Sequence, residues 1–127
     1  MSRHVLDSSA LLAWIHDESG AEVVADVLEE SVIGAVNLAE VAAKLADSGY
    51  EDAAVRRTLE RARVEVIPLS ATTAESSGLL RPITRTAGLS LGDRACLALA
   101  IELDLPALTA DRRWKHLRTR ATVELIR

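Results

Sequence analysis

Phenylalanine is absent from these 127 residues, and two tryptophans and one tyrosine are the only aromatic residues. A core without rings must be built from Leu, Val, Ile and Ala, which suits helices packed on a parallel sheet. The same shortage leaves few rings for nucleobases to stack on and counts against an aromatic-platform nucleic-acid binder. The single cysteine, Cys96, cannot form an internal disulfide and fits a reducing cytoplasm. No apolar run approaches the roughly 18 residues of a membrane span, and no signal-peptide pattern opens the chain. There is no internal repeat, low-complexity tract or linker. The expectation is one soluble, cytoplasmic domain over 1–127, with no membrane partner.

What is present is a succession of short apolar runs and helical stripes. HVLD (4–7) reads as a short buried strand leading straight into a helix at SSALLAWIH (8–16). A second helix covers 20–30, where Val23, Val24, Val27 and Leu28 stand at helical spacing. SVIGAV (31–36) reads as a buried strand and NLAEVAAKLADSG (37–49) as a helix closed by Gly49, striped by Leu38, Val41, Ala42 and Leu45. A further helix spans 51–63, a third strand 64–69, and a helix 71–80 precedes a break at Pro82. SLGDRACLALAIELD (90–104) reads as helix, ALT (107–109) as strand, RRWKHLR (112–118) as a helical turn or two, and TVELI (122–126) as a last strand. The alternation implies an α/β fold: a doubly wound sheet of about five mainly parallel strands flanked by helices.

Four acids, Asp7, Glu40, Asp93 and Asp111, stand where an apolar segment gives way to the start of a helix. In a parallel sheet such strand ends share one edge, so acids distant in sequence can converge there. Each also has a local explanation. Asn37 with Glu40, and Ser90 with Asp93, have the N-cap to N3 spacing of a capping box. Asp111 suits the cap of RRWKHLR, and Asp7 suits an acceptor for the first turn of its own helix. A cap contributes about 1 kcal/mol, enough to justify any one of them alone. Together they call for another cause, because two carboxylates about 4 Å apart repel by about 4 kcal/mol at an effective dielectric of about 20. A bound divalent cation reverses that sign, and carboxylate oxygens are suitable ligands for Mg²⁺ or Mn²⁺. The net charge is −4, yet residues 81–120 carry eight Arg or Lys against four acids, which suits a polyanionic substrate.

With their flanks, these segments resemble the PIN-domain nucleases, and within them the VapC-like toxins of bacterial toxin–antitoxin pairs. VLDSSALLAW looks like the family's opening strand with its first acid, and NLAEVAAKL like its second-acid helix. GLSLGDRACLALA followed by ALTADRRW resembles the third acid, an Ala- and Leu-rich helix, and a strand bearing a hydroxyl and the fourth acid. The resemblance implies a PIN-like fold over the whole chain and a Mg²⁺-dependent endoribonuclease, with Mn²⁺ as the other candidate ion. Such an enzyme cuts single-stranded or loop RNA and is held inactive by a cognate VapB-like antitoxin. It implies Asp7, Glu40, Asp93 and Asp111 as the metal-binding and catalytic acids, and Ser9 and Thr109 as the hydroxyls that steady them. An ion held mainly by Asp7 and Asp93 would polarise a phosphodiester oxygen and lower the pKa of a water, with Glu40 and Asp111 holding further waters or a second ion. The helices at 20–30, 37–48 and 51–63 carry more Val, Leu and Ala than a small sheet can cover, so apolar surface is expected there. By the resemblance that surface serves a homodimer and a groove for an antitoxin's amphipathic helix, whose arginine would reach the acids.

Two other classes cluster acids at such an edge. A haloacid-dehalogenase-like phosphatase wants a second acid two residues after the first, where this chain has Ser9; a non-enzymatic receiver wants an early acidic pair and a late lysine, which are missing. A degenerate PIN binding module would lack some of the acids, and all four are here. Ser8 and Ser9 lack the glycine-flanked elbow of a serine hydrolase. His4, His16 and His116 show no metal-ligand spacing and read as surface or strand-edge residues; no His or Lys is assigned to the site. Cys96 reads as core, and Trp14 and Trp114 as helix-surface packing. Arg112 and Arg113, beside Asp111, are candidates to contact substrate phosphate, Arg112 foremost.

Overall fold

A computed structural model of the chain describes residues 3–127. Five strands, β1 (Val5–Leu6), β2 (Val32–Gly34), β3 (Glu65–Ile67), β4 (Ala107–Thr109) and β5 (Val123–Leu125), form one sheet in the order β3-β2-β1-β4-β5. Every pairing is parallel, as the alternation of strands and helices predicts. The connections carry α1 (Ser8–Ile15), α2 (Ala21–Val27), α3 (Ala35–Asp47), α4 (Asp52–Ala62), α5 (Ala71–Leu79), α6 (Arg81–Thr84) and α7 (Leu91–Leu103). A short 3₁₀ segment follows α2, and a second, Arg112–His116, follows β4.

Alternation along the three central strands divides the core in two. In register, Leu6, Ile33 and Leu108 face one side, where Leu11, Val24, Val41, Leu45 and Val55 from α1 to α4 cover them. Their neighbours Val5, Val32 and Ala107 face the other side, beneath Cys96, Leu97, Leu99 and Trp114. Burying each large aliphatic side chain contributes about 2 kcal/mol, so both faces must stay covered. Burial also pushes the Cys96 thiol well above its ordinary range. The chain moves from β1 outward to β2 and β3, then crosses back to place β4 on the other side of β1. The carboxyl ends of β1 and β4 therefore flank the point where strand order reverses, where open α/β sheets bind ligands.

Several local expectations are corrected. β2 ends at Gly34 and α3 begins at Ala35, two residues before the expected start. Gly34 itself is the N-cap, so Asn37 lies inside the first turn and the Asn37–Glu40 capping box does not form. The helix expected over 20–30 ends at Val27 and closes in a 3₁₀ turn. Trp114 is buried in the core, its ring taking the room left by the missing phenylalanines. His4 is buried, with Nε2 3.0 Å from Glu124 Oε1. The most exposed large apolar side chains, Leu79, Leu91 and Ile83, lie at α5, the start of α7 and α6, in addition to the surface expected on the earlier helices, where Val23 is exposed and Ala42, Ala46 and Leu59 line a groove. The break expected near Pro82 falls just before it: α5 stops at Leu79, and Pro82 sits in the first turn of α6, where no helical N–H is needed.

A candidate active site of four acids

Asp7 follows β1 and is the N-cap residue of α1, but its carboxylate makes no capping bond. It turns instead across the sheet toward β4. Oδ2 accepts from the Ser9 hydroxyl at 2.6 Å and from the Thr109 hydroxyl at 2.9 Å. Each hydroxyl is itself aimed by a backbone amide: Ala110 N–H donates to Ser9 Oγ at 2.9 Å and Asp111 N–H to Thr109 Oγ1 at 3.0 Å. The two hydroxyl oxygens also lie 3.2 Å from each other, so Ser9, Thr109 and Asp7 form one connected network. Asp7 Oδ1 is buried and has no hydrogen-bond partner among the described residues. Burial raises the Asp7 pKa from 3.8 to about 6; the two hydroxyl bonds oppose the shift, and the charges of Asp93 and Glu40 add to it.

Glu40 approaches from the second turn of α3. Asn37, one turn earlier, donates from Nδ2 to Glu40 Oε1 and to the Gly92 carbonyl, each at 3.0 Å, which ties α3 to the start of α7. Gly92 leaves room for that closeness, because a Cβ there would run into the Glu40 carboxylate and displace it. Asp93 completes a capping box on α7: Ser90 Oγ accepts from its N–H, and Asp93 Oδ2 accepts from Ser90 N–H at 2.9 Å. Asp111 caps the Arg112–His116 turn by accepting from Arg113 N–H at 3.0 Å. The Arg113 guanidinium lies on both Asp111 oxygens, at 2.6 Å to Oδ2, and holds that carboxyl below its ordinary pKa. Arg113 Nη2 is also 3.8 Å from Asp93 Oδ2.

All four acids line one open pocket of about 630 Å³, together with Ser9 and Arg113. The structure thus brings Asp7, Ser9, Glu40, Asp93, Thr109 and Asp111 together. It does not bring Arg112, which points to the Arg127 carbonyl and is not among the pocket's lining residues. Of the eight basic residues between 81 and 120, only Arg113 lines the pocket. Lys44 and His16 also line it, although neither carries a motif. The one signal that points to Lys44 is its spacing, four residues after Glu40 on one helix face.

Among the described residues, no group of three or more His, Cys, Asp or Glu side chains is set, as it stands, to hold a metal ion. Two of the acids are engaged within the protein: the oxygens of Asp111 accept from Arg113, and Asp93 Oδ2 accepts from the Ser90 amide. The donor set nevertheless fits a hard divalent cation, being all carboxylate oxygen, with the buried Asp7 Oδ1 left free.

The fold is an all-parallel α/β sheet whose four acids gather at the edge formed by the carboxyl ends of its central strands, the edge at which such sheets bind ligands. Residues 4–119 match the PIN domain family, and the chain belongs to it. Among solved structures, a chain of VapBC2 from Rickettsia felis, bound to a DNA fragment from its promoter, superposes with a TM-score of 0.77 at 18% identity, over 97% of this chain and 98% of that one. VapBC-5 from Mycobacterium tuberculosis, a member of the VapBC family of toxin–antitoxin systems, gives 0.68 at 26% identity over 100% and 99%. VapC20 from the same organism, described as a sarcin–ricin loop cleaving toxin, gives 0.73 at 18% identity over 90% and 93%. No curated protein sequence matches the chain.

Proposed function

We propose that the protein is a Mg²⁺- or Mn²⁺-dependent endoribonuclease, the toxin of a VapBC-type pair, which cuts single-stranded or loop RNA. One observation carries the reading: a buried carboxylate, Asp7, keeps one oxygen without a partner among the described residues, in a pocket whose lining includes Glu40, Asp93 and Asp111 as well as Glu18 and Asp47. A capping acid has no use for that arrangement. Asp7, Glu40 and Asp93 are the donors that would hold the ion, with Asp111 closing the ring. When bound, the ion supplies a polarised phosphodiester oxygen and a water of lowered pKa. Ser9 and Thr109 hold Asp7 so that Oδ2 is occupied and Oδ1 remains the free donor. Asn37 and Gly92 bring Glu40 against the start of α7. Lys44, on the pocket wall, is placed to meet a substrate phosphate.

The partners follow from the same reading. Among the structural neighbours, VapBC structures support an antitoxin partner, and the description of VapC20 supports RNA as the substrate. Ala42 and Ala46 on α3, with Val55 and Leu59 on α4, line an apolar groove of about 350 Å³ suited to an amphipathic helix of the antitoxin. The exposed Leu79, Ile83 and Leu91 supply apolar surface for a homodimer. These assignments place the protein in the cytoplasm, where RNA and antitoxin are found.

The test is cleavage of RNA by the purified protein. With Mg²⁺ or Mn²⁺, structured RNAs yield discrete fragments; EDTA stops the reaction, and Asp7→Asn or Asp93→Asn loses it. Cleavage that persists in excess EDTA would sink the mechanism.

A further inference from the structure

We propose that Arg113 is a built-in cation that takes the place of a second divalent ion. The pocket then holds one ion, at Asp7, and Asp111 is not a ligand. This rests on the metal-dependent reading above and adds a stoichiometry to it.

The pocket has a saturated end and an open end. At the saturated end, Arg113 Nε bridges Asp111 Oδ1 and Oδ2 at 3.0 Å each, and Nη2 reaches Oδ2 at 2.6 Å. Nη1 donates to the Ala87 carbonyl at 3.3 Å and to the Gly88 carbonyl at 3.2 Å. Gly88 is in the left-handed region, at φ 70°, a conformation that lets two successive carbonyls face one nitrogen. Of a guanidinium's five N–H donors, four are thereby used, and the Nη2 that carries the fifth lies 3.8 Å from Asp93 Oδ2. An ion at Asp111 would have to displace a group held by a carboxylate and by two backbone carbonyls.

At the open end Asp7 is 2% exposed, and its Oδ1 has no partner. A cation there meets a buried, unclaimed lone pair. A guanidinium at one end and a dication at the other satisfy the acids without forcing two dications beside an arginine, where like charges repel. A substrate phosphate entering the pocket would face one ion and the Arg113 charge, with Lys44 and Arg127 also on the wall. Arginine, planar and fully charged, is suited to that second position.

Mn²⁺ binding to the whole protein, counted from the electron paramagnetic resonance signal of the free ion, tests this without any RNA. Wild type should bind one Mn²⁺ per chain, Arg113→Lys one, and Arg113→Met two. A role confined to tying the loop at residues 87–88 would not change the count. If Arg113→Met fails to fold by circular dichroism, Asp111→Asn decides: Mn²⁺ affinity should be retained. A loss of about tenfold or more, the usual cost of disturbing a metal site, would make Asp111 a ligand and overturn the proposal. Two ions on wild type, or one on folded Arg113→Met, would also overturn it and leave the nuclease reading standing. No ion on wild type would overturn both.

Discussion

Replacing Asp7 by Asn should make the metal-free protein respond less to acid. Burial raises the Asp7 pKa from 3.8 to about 6. Two units correspond to about 3 kcal/mol, since each unit is about 1.36 kcal/mol. The folded value lies above the unfolded one, so the native state favours the protonated acid. That advantage is complete below pH 3.8 and is lost as pH rises through about 6. At neutral pH the ionised carboxylate therefore carries nearly the whole penalty. Between pH 7 and pH 5 the wild type should regain about 1.4 kcal/mol that the non-titrating Asn cannot regain. Asp111 does not interfere in this window, because Arg113 lowers its pKa below 3.8. Groups remote from Asp7 are common to both proteins and cancel in the comparison. Urea denaturation in EDTA, followed by circular dichroism at pH 7, 6 and 5, reads the effect. For m-values of about 1–3 kcal/mol/M, the wild-type midpoint should gain about 0.5–1.4 M on the mutant over this range. How well the amide suits Ser9 and Thr109 sets the absolute difference but not its slope with pH. Midpoints that run parallel would show that Asp7 is not held charged against its surroundings, and the reasoning fails.

Gly92→Ala should fold as well as wild type, since Ala favours a helix by up to about 1 kcal/mol, yet its Cβ displaces Glu40. Mn²⁺ affinity, measured by titration, should fall about 10–100-fold, and an unchanged affinity would remove Glu40 from the ion's surroundings. Lys44→Ala should weaken RNA binding and reduce the slope of log K against log salt by about 0.7, as for one lost single-strand phosphate contact. An identical slope would return Lys44 to the solvent. Asp93→Ala should lose about 1 kcal/mol through its capping box, whereas Asp93→Asn, whose amide oxygen still accepts from Ser90, should keep metal-free stability and lose cleavage. Equal instability of the two would mean that the negative charge is itself structural.

Asp7 and Asp111 were legible because each follows the end of a central strand, and Glu40 and Asp93 because the segments around them read as the first turns of helices packed at that edge. The hydroxyls of Ser9 and Thr109 came with the same segments. Their supports were not legible. Asn37 looked like a cap because its spacing to Glu40 suits one, but α3 starts two residues earlier, and the side chain is freed to join α3 to Gly92. Gly92 carries no turn signal, since its role is room for a carboxylate from another helix. The choice between Arg112 and Arg113 depends on the rotation of a short 3₁₀ turn, which sends one side chain to Arg127 and the other to the acids. Trp114 was misplaced because its basic neighbours suggest a surface, while its ring is needed inside. Lys44 and His16 reach the pocket from the flanks of helices whose stripes were read only for their apolar faces.

The most direct test is the position of the ion itself. Crystals of the wild-type protein soaked in Mn²⁺ and measured for anomalous scattering should show a peak within bonding distance of Asp7 Oδ1, flanked by Asp93 and Glu40 and absent from Asp7→Asn crystals. A pocket with no peak, together with RNA cleavage that continues in EDTA, would contradict the assignment of these acids to a divalent ion.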